Sequence, residues 1–589
     1  MIIWRCLPLL GSVLRSYFRI VISVVSIMFC SAFFDSKDSI QPEPKSIEVR
    51  KAELSTDEFM VVTGTRLSSE AGEYILSKGG NAVDAAIASQ LVLNLVEPHS
   101  SGIGGGGFFV FWDSKNKQSY FYDGRETAPQ HYDPEVFLDK NGKPRDFFDV
   151  LEGGLTVGVP SLLKLLKTVH EKHGQLPWFE LFVPAIDLAK NGFDVSPRLE
   201  MLLEEAKHIK NFENTYEYFY DTVGGEQVRQ KIYNHQFAET LRQIAENGID
   251  DFYQGKIALD IVNAVNNTKR NPGYLTIEDL SRYEVLSKDL ICTKYRKYKV
   301  CSIPMPSSGG VAILQTLGIL EHFDLTQMAP NSAESVHIIS EALRLAYADR
   351  NKYTADDRFV YVPVKQMLSK KYLKQRSFLI NIDSSLIDVQ PGQFTRLANF
   401  VQPVDHPSTT HLSIVDKDGN AVSFTSSIQY FFGSGLTTHG FLLNNQLTDF
   451  AFVPMVDGKK VANRPEAGKK PRSSMSPTLV FDEDNKLYMV VGSPGGSRII
   501  SYVVKTIVSV LDFDVPINEA VALPNFTKMN NKLELEKGSY LEEYQGILEQ
   551  KGHEVLIHDM TSGLHAILIK GGKLYSGVDP RREGLALGR

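Results

Sequence analysis

The sequence predicts an α+β fold built from stacked layers of helices and sheets. Helical patterns dominate its first two thirds: 81–93 has the composition of a buried helix, and 335–348 spaces apolar residues three and four apart. Strand patterns lie among them at 108–112 and 120–122, and from about residue 409 β-branched and aromatic runs alternate with turn residues. Because these elements lack a regular β-α-β alternation, we predict a layered α+β arrangement.

Composition narrows the functional classes. The 589 residues suffice for about four domains of average size. Hydrophobic residues at 43% and charged residues at 23% argue against a mostly disordered chain. The net charge of -7 excludes the basic surface of a nucleic-acid binder, and the mean hydropathy of -0.16 excludes a polytopic membrane protein. Four cysteines exclude a disulfide-rich scaffold, which leaves a large soluble enzyme or binding protein.

Residues 1–32 have the features of an export signal. Three arginines precede the apolar run 20–34, and the small residues before Ala32 suit cleavage after it. The run is shorter than the roughly 20 residues of a membrane span, although neighbouring apolar residues could extend it into an uncleaved anchor. We therefore predict a periplasmic or secreted protein that begins with a signal peptide or a membrane anchor.

Cys292 and Cys301 flank a predicted hairpin with Arg296-Lys297 at its turn. This register places the cysteines directly opposite each other, at a non-hydrogen-bonded pair where side chains approach most closely. Two alternatives therefore remain for these cysteines, a cross-strand disulfide or two half-buried free thiols. Arg-Lys is a poor sequence for a two-residue turn and favours the thiols.

Context argues against two familiar motifs. Gly102–Gly107 matches the dinucleotide pattern G-x-G-x-x-G, but a predicted strand follows it where that motif requires a helix. His553–His558 resembles a zinc-protease motif with one residue too many, and we predict a strand there. No other group of His, Asp and Glu has ligand spacing, so no metal is predicted. The polar stretch 457–472 is predicted to be a surface loop whose six Lys and Arg are solvated.

The candidate site lies between residues 407 and 497. A strand is predicted over 409–415, a turn at Asp418-Gly419 and a returning strand over 421–428. By itself, this stretch is more typical of a threonine-rich strand without chemistry than of a catalytic site.

The predicted turn also sets which residues lie together. It pairs Thr409 with Ile428, to within one residue of register. Thr425, Ser427 and Gln429 share one face of the returning strand because side chains alternate with a period of two. Ser427 is therefore expected beside Thr409.

Pro407-Ser-Thr-Thr-His-Leu-Ser-Ile-Val-Asp-Lys-Asp-Gly-Asn-Ala-Val422 resembles the processing site of the γ-glutamyltransferases (γ-glutamyltranspeptidases), which are N-terminal-nucleophile hydrolases. Six further segments are similar to motifs of that family and follow in its order. They are Phe121-Tyr-Asp-Gly-Arg-Glu-Thr-Ala-Pro129, Pro306-Ser-Ser-Gly-Gly310, Leu442-Leu-Asn-Asn-Gln-Leu-Thr-Asp-Phe450, Pro471-Arg-Ser-Ser-Met-Ser-Pro-Thr478, Gly492-Ser-Pro-Gly-Gly-Ser-Arg498 and Asp579-Pro-Arg-Arg582. The resemblance covers roughly residues 56 to 588.

The resemblance implies an αββα four-layer sandwich formed jointly by two subunits of one precursor. Self-cleavage between Ser408 and Thr409 would give a large subunit, 33–408, and a small catalytic subunit, 409–589. A threonine hydroxyl needs an adjacent base, and the freed α-amine of Thr409, with a pKa near 8, supplies one. Before cleavage that nitrogen is an amide, so the precursor is expected to be latent.

The resemblance also assigns the groups around the nucleophile. Ser427, where the family usually has a second threonine, would orient the hydroxyl of Thr409. The backbone amides of Gly495 and Gly496 would form the oxyanion hole. No cofactor is implied.

A γ-glutamyl group carries an α-carboxylate and an α-ammonium. Arg125 matches the family residue for the carboxylate, which a planar guanidinium binds through two hydrogen bonds. Ser473 and Ser474 match its supporting hydroxyls. Asp449 would bind the ammonium with help from Gln446 and from Gln429.

Two features leave details open. Gln429 stands where bacterial members often have asparagine, which could alter the binding of the ammonium. The 23 residues between Asp449 and Ser473 give a lid of intermediate length, so the balance between hydrolysis and transpeptidation is not predicted.

The implied reaction transfers the γ-glutamyl group of glutathione and related compounds to water, amino acids or dipeptides. A glutaryl or cephalosporin acylase of the same superfamily is an alternative, which retention of Asp449, Gln446 and Arg125 disfavours. A non-catalytic exported γ-glutamyl-binding protein is another, and the intact pair Thr409-Thr410 argues against it.

Overall fold

The computed structural model describes residues 51–221, 226–394 and 408–589. The predicted signal or anchor, 1–32, lies outside the described residues. Among those that are described, no helix combines the length and the apolar character that a membrane crossing requires.

Two seven-stranded antiparallel sheets form the centre of the fold. Their strands, in chain order, are β1 Ser55–Thr56, β2 Met60–Thr63, β3 Gly106–Asp113, β4 Gln118–Gly124, β5 Leu286–Lys288, β6 Ile291–Tyr295, β7 Tyr298–Ser302, β8 Thr410–Val415, β9 Ala421–Ser427, β10 Thr478–Phe481, β11 Leu487–Gly492, β12 His565–Lys570, β13 Lys573–Val578 and β14 Leu585–Gly588. One sheet has the order β1-β13-β12-β11-β10-β7-β6, and the other has the order β14-β2-β8-β9-β3-β4-β5.

The sheets pack face to face, and helices cover their outer surfaces. Strands β8 and β9 lie against β11 and β12 of the facing sheet. Ala82–Val96 and Leu162–His173 cover the sheet that contains β8, whereas Gly309–Leu320 and Ile499–Leu511 cover the other. The architecture is therefore the predicted four-layer αββα sandwich.

The helices of the described residues vary in length. They are Arg66–Ser77, Ala82–Val96, Phe147–Val150, Leu162–His173, Val183–Asn191, Pro197–Glu205, Glu213–Phe219, His235–Asn247, Asp250–Gln254, Lys256–Asn266, Ile277–Ser281, Gly309–Leu320, Ala333–Tyr353, Val364–Met367, Lys370–Ser377, Ile499–Leu511, Ile517–Ala522 and Gln545–Gln550. Ala82–Val96 begins with a capping box, in which Asn81 and Asp84 each accept the other's backbone N–H at 3.1 Å.

Shorter strand pairs lie outside the two sheets. They involve Phe193–Asp194, Tyr220–Asp221, Gln227–Val228, Lys231–Ile232, Thr437–Thr438, Phe441–Leu442, Met455–Val456, Lys459–Lys460, Phe526–Thr527, Lys532–Glu536 and Glu554–His558. Since Glu554–His558 pairs in parallel with Lys532–Glu536, the prediction of a strand in place of a zinc-protease helix is confirmed.

Strand β8 is buried on both faces, for different reasons on each. Leu412 and Ile414 share a hydrophobic cluster with the helix Ala82–Val96. Ser413 points the other way and donates to the carbonyl of His565 on the facing sheet at 3.0 Å. The hydroxyl-rich face therefore lies between the sheets, where hydrogen bonds satisfy it.

The β8–β9 hairpin turns through three residues, 417–419, rather than through Asp418-Gly419 alone. The backbone N–H of Asp416 donates to the carbonyl of Asn420 at 3.0 Å across the loop. Gly419 has a φ of +77°, as expected for the left-handed residue that ends a three-residue hairpin loop.

This loop shifts the register by one residue, within the predicted margin. Thr410 pairs with Ser426. Continuing that register sets Ser427, rather than Ile428, across from Thr409. This one-residue shift places Thr409 and Ser427 directly opposite each other, which favours the expected contact between their hydroxyl groups.

The glycine run before β3 allows backbones to approach closely. A Cβ on Gly104 would come within 2.1 Å of the carbonyl oxygen of Leu442, and one on Gly105 within 2.3 Å of that of Ser427. The run leads into β3, so the strand predicted to follow it is confirmed.

Both sheets draw strands from either side of the Ser408–Thr409 bond. One combines β1, β6 and β7 with β10 to β13, and in the other β8 and β9 lie between β2 and β3. Separate pieces 33–408 and 409–589 would each hold only part of either sheet. The subunit boundary itself stays a prediction.

Cys292 and Cys301 lie directly opposite each other on β6 and β7, as predicted, and form a disulfide. The preference for free thiols is therefore wrong. Arg296 adopts a φ of +52° in the turn, which makes a two-residue hairpin possible despite its unfavourable sequence.

We expect neither cysteine to react with an alkylating reagent before reduction, although Cys292 is exposed. Replacing both by serine should lower the free energy of unfolding by about 2 kcal/mol, because the crosslink restricts the unfolded chain. Peptide masses after alkylation with and without reductant test the first point, and denaturant titration tests the second. Labelling of Cys292 in unreduced protein would contradict the disulfide.

Candidate active site

Thr409 lies immediately before β8, and its side chain is buried. Arg582 donates to the carbonyl of Thr409 at 3.1 Å, and the hydroxyl of Ser408 donates to the carbonyl of His99. The peptide bond between Ser408 and Thr409 is therefore held from both sides.

A buried carboxylate lies behind the same strand. Glu97 accepts a hydrogen bond of 2.7 Å from the hydroxyl of Thr410. Burial raises the pKa of Glu97, and the nearby charge of Arg582 opposes that shift. The sequence analysis missed Glu97, whereas Arg582 lies in one of the motifs quoted above.

Ser427 is the last residue of β9, and its Oγ lies 3.3 Å from Oγ1 of Thr409. Ser427 Oγ accepts the backbone N–H of Gln429 at 2.9 Å and donates to the carbonyl oxygen of Ser408 at 2.7 Å. Oγ1 of Thr409 lies 2.7 Å from the same oxygen. Two hydroxyls therefore converge on the carbonyl of the expected scissile bond.

Thr425 lies on the same face of β9 as Ser427, as predicted, whereas Gln429 does not. Thr425 contacts Nδ1 of His411 at 2.8 Å, between the two sheets. Gln429 lies beyond the end of β9 with a φ of +83°, so it does not continue the alternation of the strand. Its side chain reaches Asp449 instead, with 2.7 Å between Nε2 and Oδ1.

Arg125 follows β4 and is 1% exposed. Its guanidinium pairs with the carboxylate of Asp449 and donates to the carbonyls of Pro471 and Arg472 at 3.2 and 3.3 Å. The groups expected to hold the α-carboxylate and the α-ammonium are thus paired with each other. Burial raises the pKa of the adjacent Glu126 to about 7, although Arg125 opposes the shift.

Gln446 shares a short 3-10 turn with Asp449 and has an unused acceptor. Its Nε2 donates to Asp449 Oδ2 at 3.0 Å and to Gln429 Oε1 at 2.8 Å. Its Oε1 is buried and accepts no hydrogen bond from the described residues. A buried amide oxygen without a donor suits an incoming ammonium group.

Ser473 and Ser474 can both donate into the pocket that they line. The Oγ of Ser473 accepts the backbone N–H of Met475 at 3.1 Å, and that of Ser474 accepts from Arg350. Each hydroxyl has one proton, which is left to donate to another acceptor. Two adjacent hydroxyl donors suit a carboxylate.

Gly495 and Gly496 have φ values of +129° and +59°, which glycine adopts at low cost. A Cβ on Gly495 would come within 2.6 Å of the ring of Tyr502. The turn leads into the helix Ile499–Leu511, whose N-terminal end carries a partial positive charge. This end of the pocket therefore suits a developing anion.

One pocket gathers the predicted site residues except Ser408 and Gly495, which adjoin it. Its lining residues are Arg125, Arg350, Thr409, Ser427, Gln429, Gln446, Asp449, Arg472, Ser473, Ser474, Met475, Gly496, Ser497 and Ile499. Arg350 was missed because no quoted motif contains it. Arg472, Met475 and Ser497 lie inside quoted motifs, but no role was predicted for them.

The segment 450–472 connects Asp449 to Ser473. Within it, Lys469 and Lys470 are buried and form ion pairs with Glu466 and Asp123. The expectation that every basic residue of this stretch is solvated is therefore wrong. Acidic partners distant in sequence, such as Asp123, account for the difference.

A buried polar cluster lies elsewhere in the fold. His337, Glu341 and His553 bring possible metal-ligand atoms within 4.8 Å of one another. The sequence analysis overlooked the i, i+4 spacing of His337 and Glu341. However, Nζ of Lys528 lies 2.6 Å from Glu341 and 2.8 Å from Nδ1 of His553, so an ammonium group occupies the position between these ligands.

The hydrogen bonds of this cluster fix the protons of both histidines. Nε2 of His337 faces the carbonyl of Asn381 at 2.8 Å and must donate to it. Its Nδ1 then accepts from Nε2 of His553, at 2.7 Å, and Nδ1 of His553 accepts from Lys528. Both rings are neutral in this arrangement.

We expect the free energy of unfolding to fall as the pH decreases from about 6.5 toward 4. Burial lowers the pKa of His337 and lowers that of His553 to about 3, whereas an unfolded histidine titrates near 6.5. Between these values the unfolded chain binds more protons, so each such histidine removes up to about 1.4 kcal/mol per pH unit. Denaturant titrations of the Thr409→Ala chain across this range measure the slope.

His553→Gln is the matched control for this prediction. It removes one titrating ring and should give a shallower dependence on pH than the parent chain. A parent chain whose stability does not change between pH 6.5 and 4 would contradict the neutral cluster.

Comparisons with known proteins agree with this architecture. The gamma-glutamyltranspeptidase family model matches residues 68–588. The glutathione hydrolase proenzyme of Bacillus subtilis (strain 168) is 35% identical over 572 residues, which cover 92% of this chain and 95% of that protein.

Solved structures extend the likeness to the fold. A cephalosporin acylase from Bacillus halodurans matches with a TM-score of 0.81 and 26% identity, covering 94% of this chain and 99% of its own. Gamma-glutamyltranspeptidase from Helicobacter pylori matches with a TM-score of 0.54 and 33% identity, covering 61% of this chain and 100% of its own.

Proposed function

Because this chain belongs to the gamma-glutamyltranspeptidase family, we propose that it is a γ-glutamyltransferase and glutathione hydrolase that uses Thr409 as its nucleophile. Family membership makes it an acyl-transfer enzyme. The observation that carries the proposal is the pocket in which Thr409 lies with the paired Arg125 and Asp449.

The geometry around the Ser408–Thr409 bond supports self-cleavage. Attack of Thr409 Oγ1 on the carbonyl carbon of Ser408 would place negative charge on the carbonyl oxygen, to which Ser427 already donates at 2.7 Å. The carbon–nitrogen bond then breaks, and the hydroxyl proton passes to the nitrogen of Thr409. This leaves the α-amine free and an ester between Ser408 and Oγ1 of Thr409. Water hydrolyses the ester, which releases the carboxylate of Ser408 and restores the hydroxyl of Thr409.

Cleavage converts the nitrogen of Thr409 from an amide into an amine with a pKa near 8. The amine takes the proton from the hydroxyl of the same residue as that oxygen attacks a substrate amide. Ser427 keeps its hydrogen bond from the backbone of Gln429, so its own proton remains available to orient Thr409.

The pocket recognises the two charges at the α-carbon of a γ-glutamyl group. Arg125 and the protons of Ser473 and Ser474 bind the carboxylate, whereas Asp449 and Oε1 of Gln446 accept from the ammonium. A bound substrate would thus satisfy the unpartnered oxygen of Gln446.

The amides of Gly495 and Gly496 stabilise the oxyanion that forms on attack. Losing one such donor typically costs about 3 kcal/mol of transition-state stabilisation. The amine portion of glutathione or of another γ-glutamyl compound leaves, and water, an amino acid or a dipeptide takes the γ-glutamyl group. None of these steps requires a cofactor.

Residues 1–32 would direct the chain out of the cytoplasm as a cleaved signal or as an anchor, giving a periplasmic or secreted enzyme. The mature protein would be a heterodimer of 33–408 and 409–589. Strands shared between the two pieces in both sheets support their remaining together after the cut.

A glutaryl or cephalosporin acylase is the second candidate, because the likeness to the cephalosporin acylase covers nearly the whole chain. A glutaryl group lacks the α-ammonium. It would leave Asp449 and Gln446 without their ligand, which favours the γ-glutamyl donor.

The test compares L-γ-glutamyl-p-nitroanilide with glutaryl-p-nitroanilide as donors for the purified protein. We expect the γ-glutamyl donor to be preferred by about 30-fold or more in kcat/KM, since only it supplies an ammonium partner for the partly buried carboxylate of Asp449. Preference for the glutaryl donor would favour the acylase. Binding of L-glutamate without turnover of either donor would favour a binding protein.

A further inference from the structure

The helix Ala333–Tyr353 brings a second arginine to the pocket. Ser332 caps its first turn by accepting the backbone N–H of Ser335 at 3.3 Å. Arg350 lies in its last turn, where the helix dipole favours a positive charge, and is 4% exposed.

The guanidinium of Arg350 contacts three hydroxyls from three separate segments. Nε donates to Ser308 at 2.9 Å, and Nη2 donates to Ser474 and, at 3.1 Å, to Ser497. One rigid, planar group therefore links three serines that are far apart in the sequence.

These contacts determine where the serine protons point. A guanidinium only donates, so each hydroxyl oxygen accepts and keeps its own proton for another partner. Ser308 gives its proton to the carbonyl of Ser473 at 2.6 Å. Ser474 lines the pocket, and its proton can be donated to a carboxylate bound there or to Oγ of Ser497, 3.4 Å away.

The same helix also holds the glycine turn. Tyr347, one helical turn before Arg350, donates to the carbonyl of Ser497 at 2.6 Å. Arg350 binds the hydroxyl of the same serine, which directly follows Gly496. Two side chains of one helix thus fix the residue next to the proposed oxyanion amides.

We propose that Arg350 is a positioning residue that couples recognition of the α-carboxylate to stabilisation of the oxyanion. It fixes the proton of Ser474 toward the carboxylate and holds the turn Gly495-Gly496 through Ser497. This inference rests on the proposed function, and it predicts that part of the effect of Arg350 depends on the carboxylate of the donor.

The test measures Arg350→Met with L-γ-glutamyl-p-nitroanilide and with 4-aminobutyryl-p-nitroanilide, which lacks only the α-carboxylate. We expect kcat/KM to fall about 100-fold with the first donor, because the contacts of Arg350 with Ser474 and with Ser497 both matter for it. With the second donor, which has no carboxylate for Ser474 to bind, only the contact with Ser497 matters, and we expect a fall of about 10-fold. The inhibition constant of L-glutamate should rise about 10-fold.

Three further variants separate positioning from a structural defect. Arg350→Lys keeps the charge without the planar fork and should recover only part of the loss, and Ser497→Ala should lower both donors about equally. Arg282→Met, at an exposed ion pair, should match the wild type. Intact mass checks that each variant still cleaves itself. If Arg350→Met does not, donor kinetics are compared with Ser497→Ala and Arg350→Lys instead.

The outcomes distinguish this inference from the proposed function. Equal losses on both donors, or full activity of Arg350→Met beside an active wild type, would overturn the role of Arg350 alone. A wild type that turns over neither donor would overturn the proposed function and this inference with it.

Discussion

The Thr409→Ala protein is expected to remain one uncut chain and to lack γ-glutamyl transfer. The substitution removes the oxygen that lies 2.7 Å from the carbonyl of Ser408, so no ester can form. It also removes the enzyme's nucleophile, a loss on the order of a million-fold in kcat for a comparable acyl-transfer site. Intact mass and donor turnover of the purified protein measure the two effects separately.

Two neighbouring variants sharpen this experiment. Thr409→Ser keeps the hydroxyl and should still give two fragments. Ser427→Ala removes the donor to the Ser408 carbonyl and should slow cleavage about 100-fold or more without preventing it. A Thr409→Ala chain cut between positions 408 and 409 would show that another group cleaves this bond.

Local patterns predicted the secondary structure near the site because periodicity and capping act over a few residues. Residues 82–93 and 335–348 lie within the helices Ala82–Val96 and Ala333–Tyr353, and Asn81 is the N-cap of the first. The hairpin register was one residue off because the loop geometry depends on a hydrogen bond between Asp416 and Asn420. The pattern of apolar residues does not report that bond.

Contacts between distant segments were harder to predict. Family motifs placed Arg125, Asp449 and Ser474 in one site, but nothing in the sequence indicated that Arg125 and Asp449 pair with each other. In the sequence alone, Arg350 is only one more charged residue near the end of a predicted helix. Its partners Ser308, Ser474 and Ser497 lie 42, 124 and 147 residues away in the sequence, so no local pattern indicates these contacts. The buried lysines of 450–472 were misjudged for the same reason.

Replacing Arg125 is expected to have the second-largest effect. Arg125→Met should lower kcat/KM for L-γ-glutamyl-p-nitroanilide by about 1,000-fold, because truncating one member of a buried charge pair costs about 2–5 kcal/mol. Much of that cost falls on the partly buried Asp449, to which the amides of Gln429 and Gln446 would still donate. Donor kinetics with the carboxylate-free 4-aminobutyryl-p-nitroanilide should show a smaller loss.

A double-mutant cycle with Asp449→Asn tests whether the two residues act as a pair. If their charges hold each other in the free enzyme, the double variant should lose less unfolding free energy than the two single variants added together. Donor binding should not recover in the double variant, since the carboxylate and ammonium of the substrate have both lost their partners. Self-cleavage should persist in all three, because the contacts that hold Ser408, Thr409 and Ser427 do not involve Arg125. Normal donor kinetics in Arg125→Met would contradict the role of Arg125 in donor binding. If the losses in unfolding free energy of the two single variants simply add in the double variant, the ion pair between Arg125 and Asp449 does not stabilise the free enzyme.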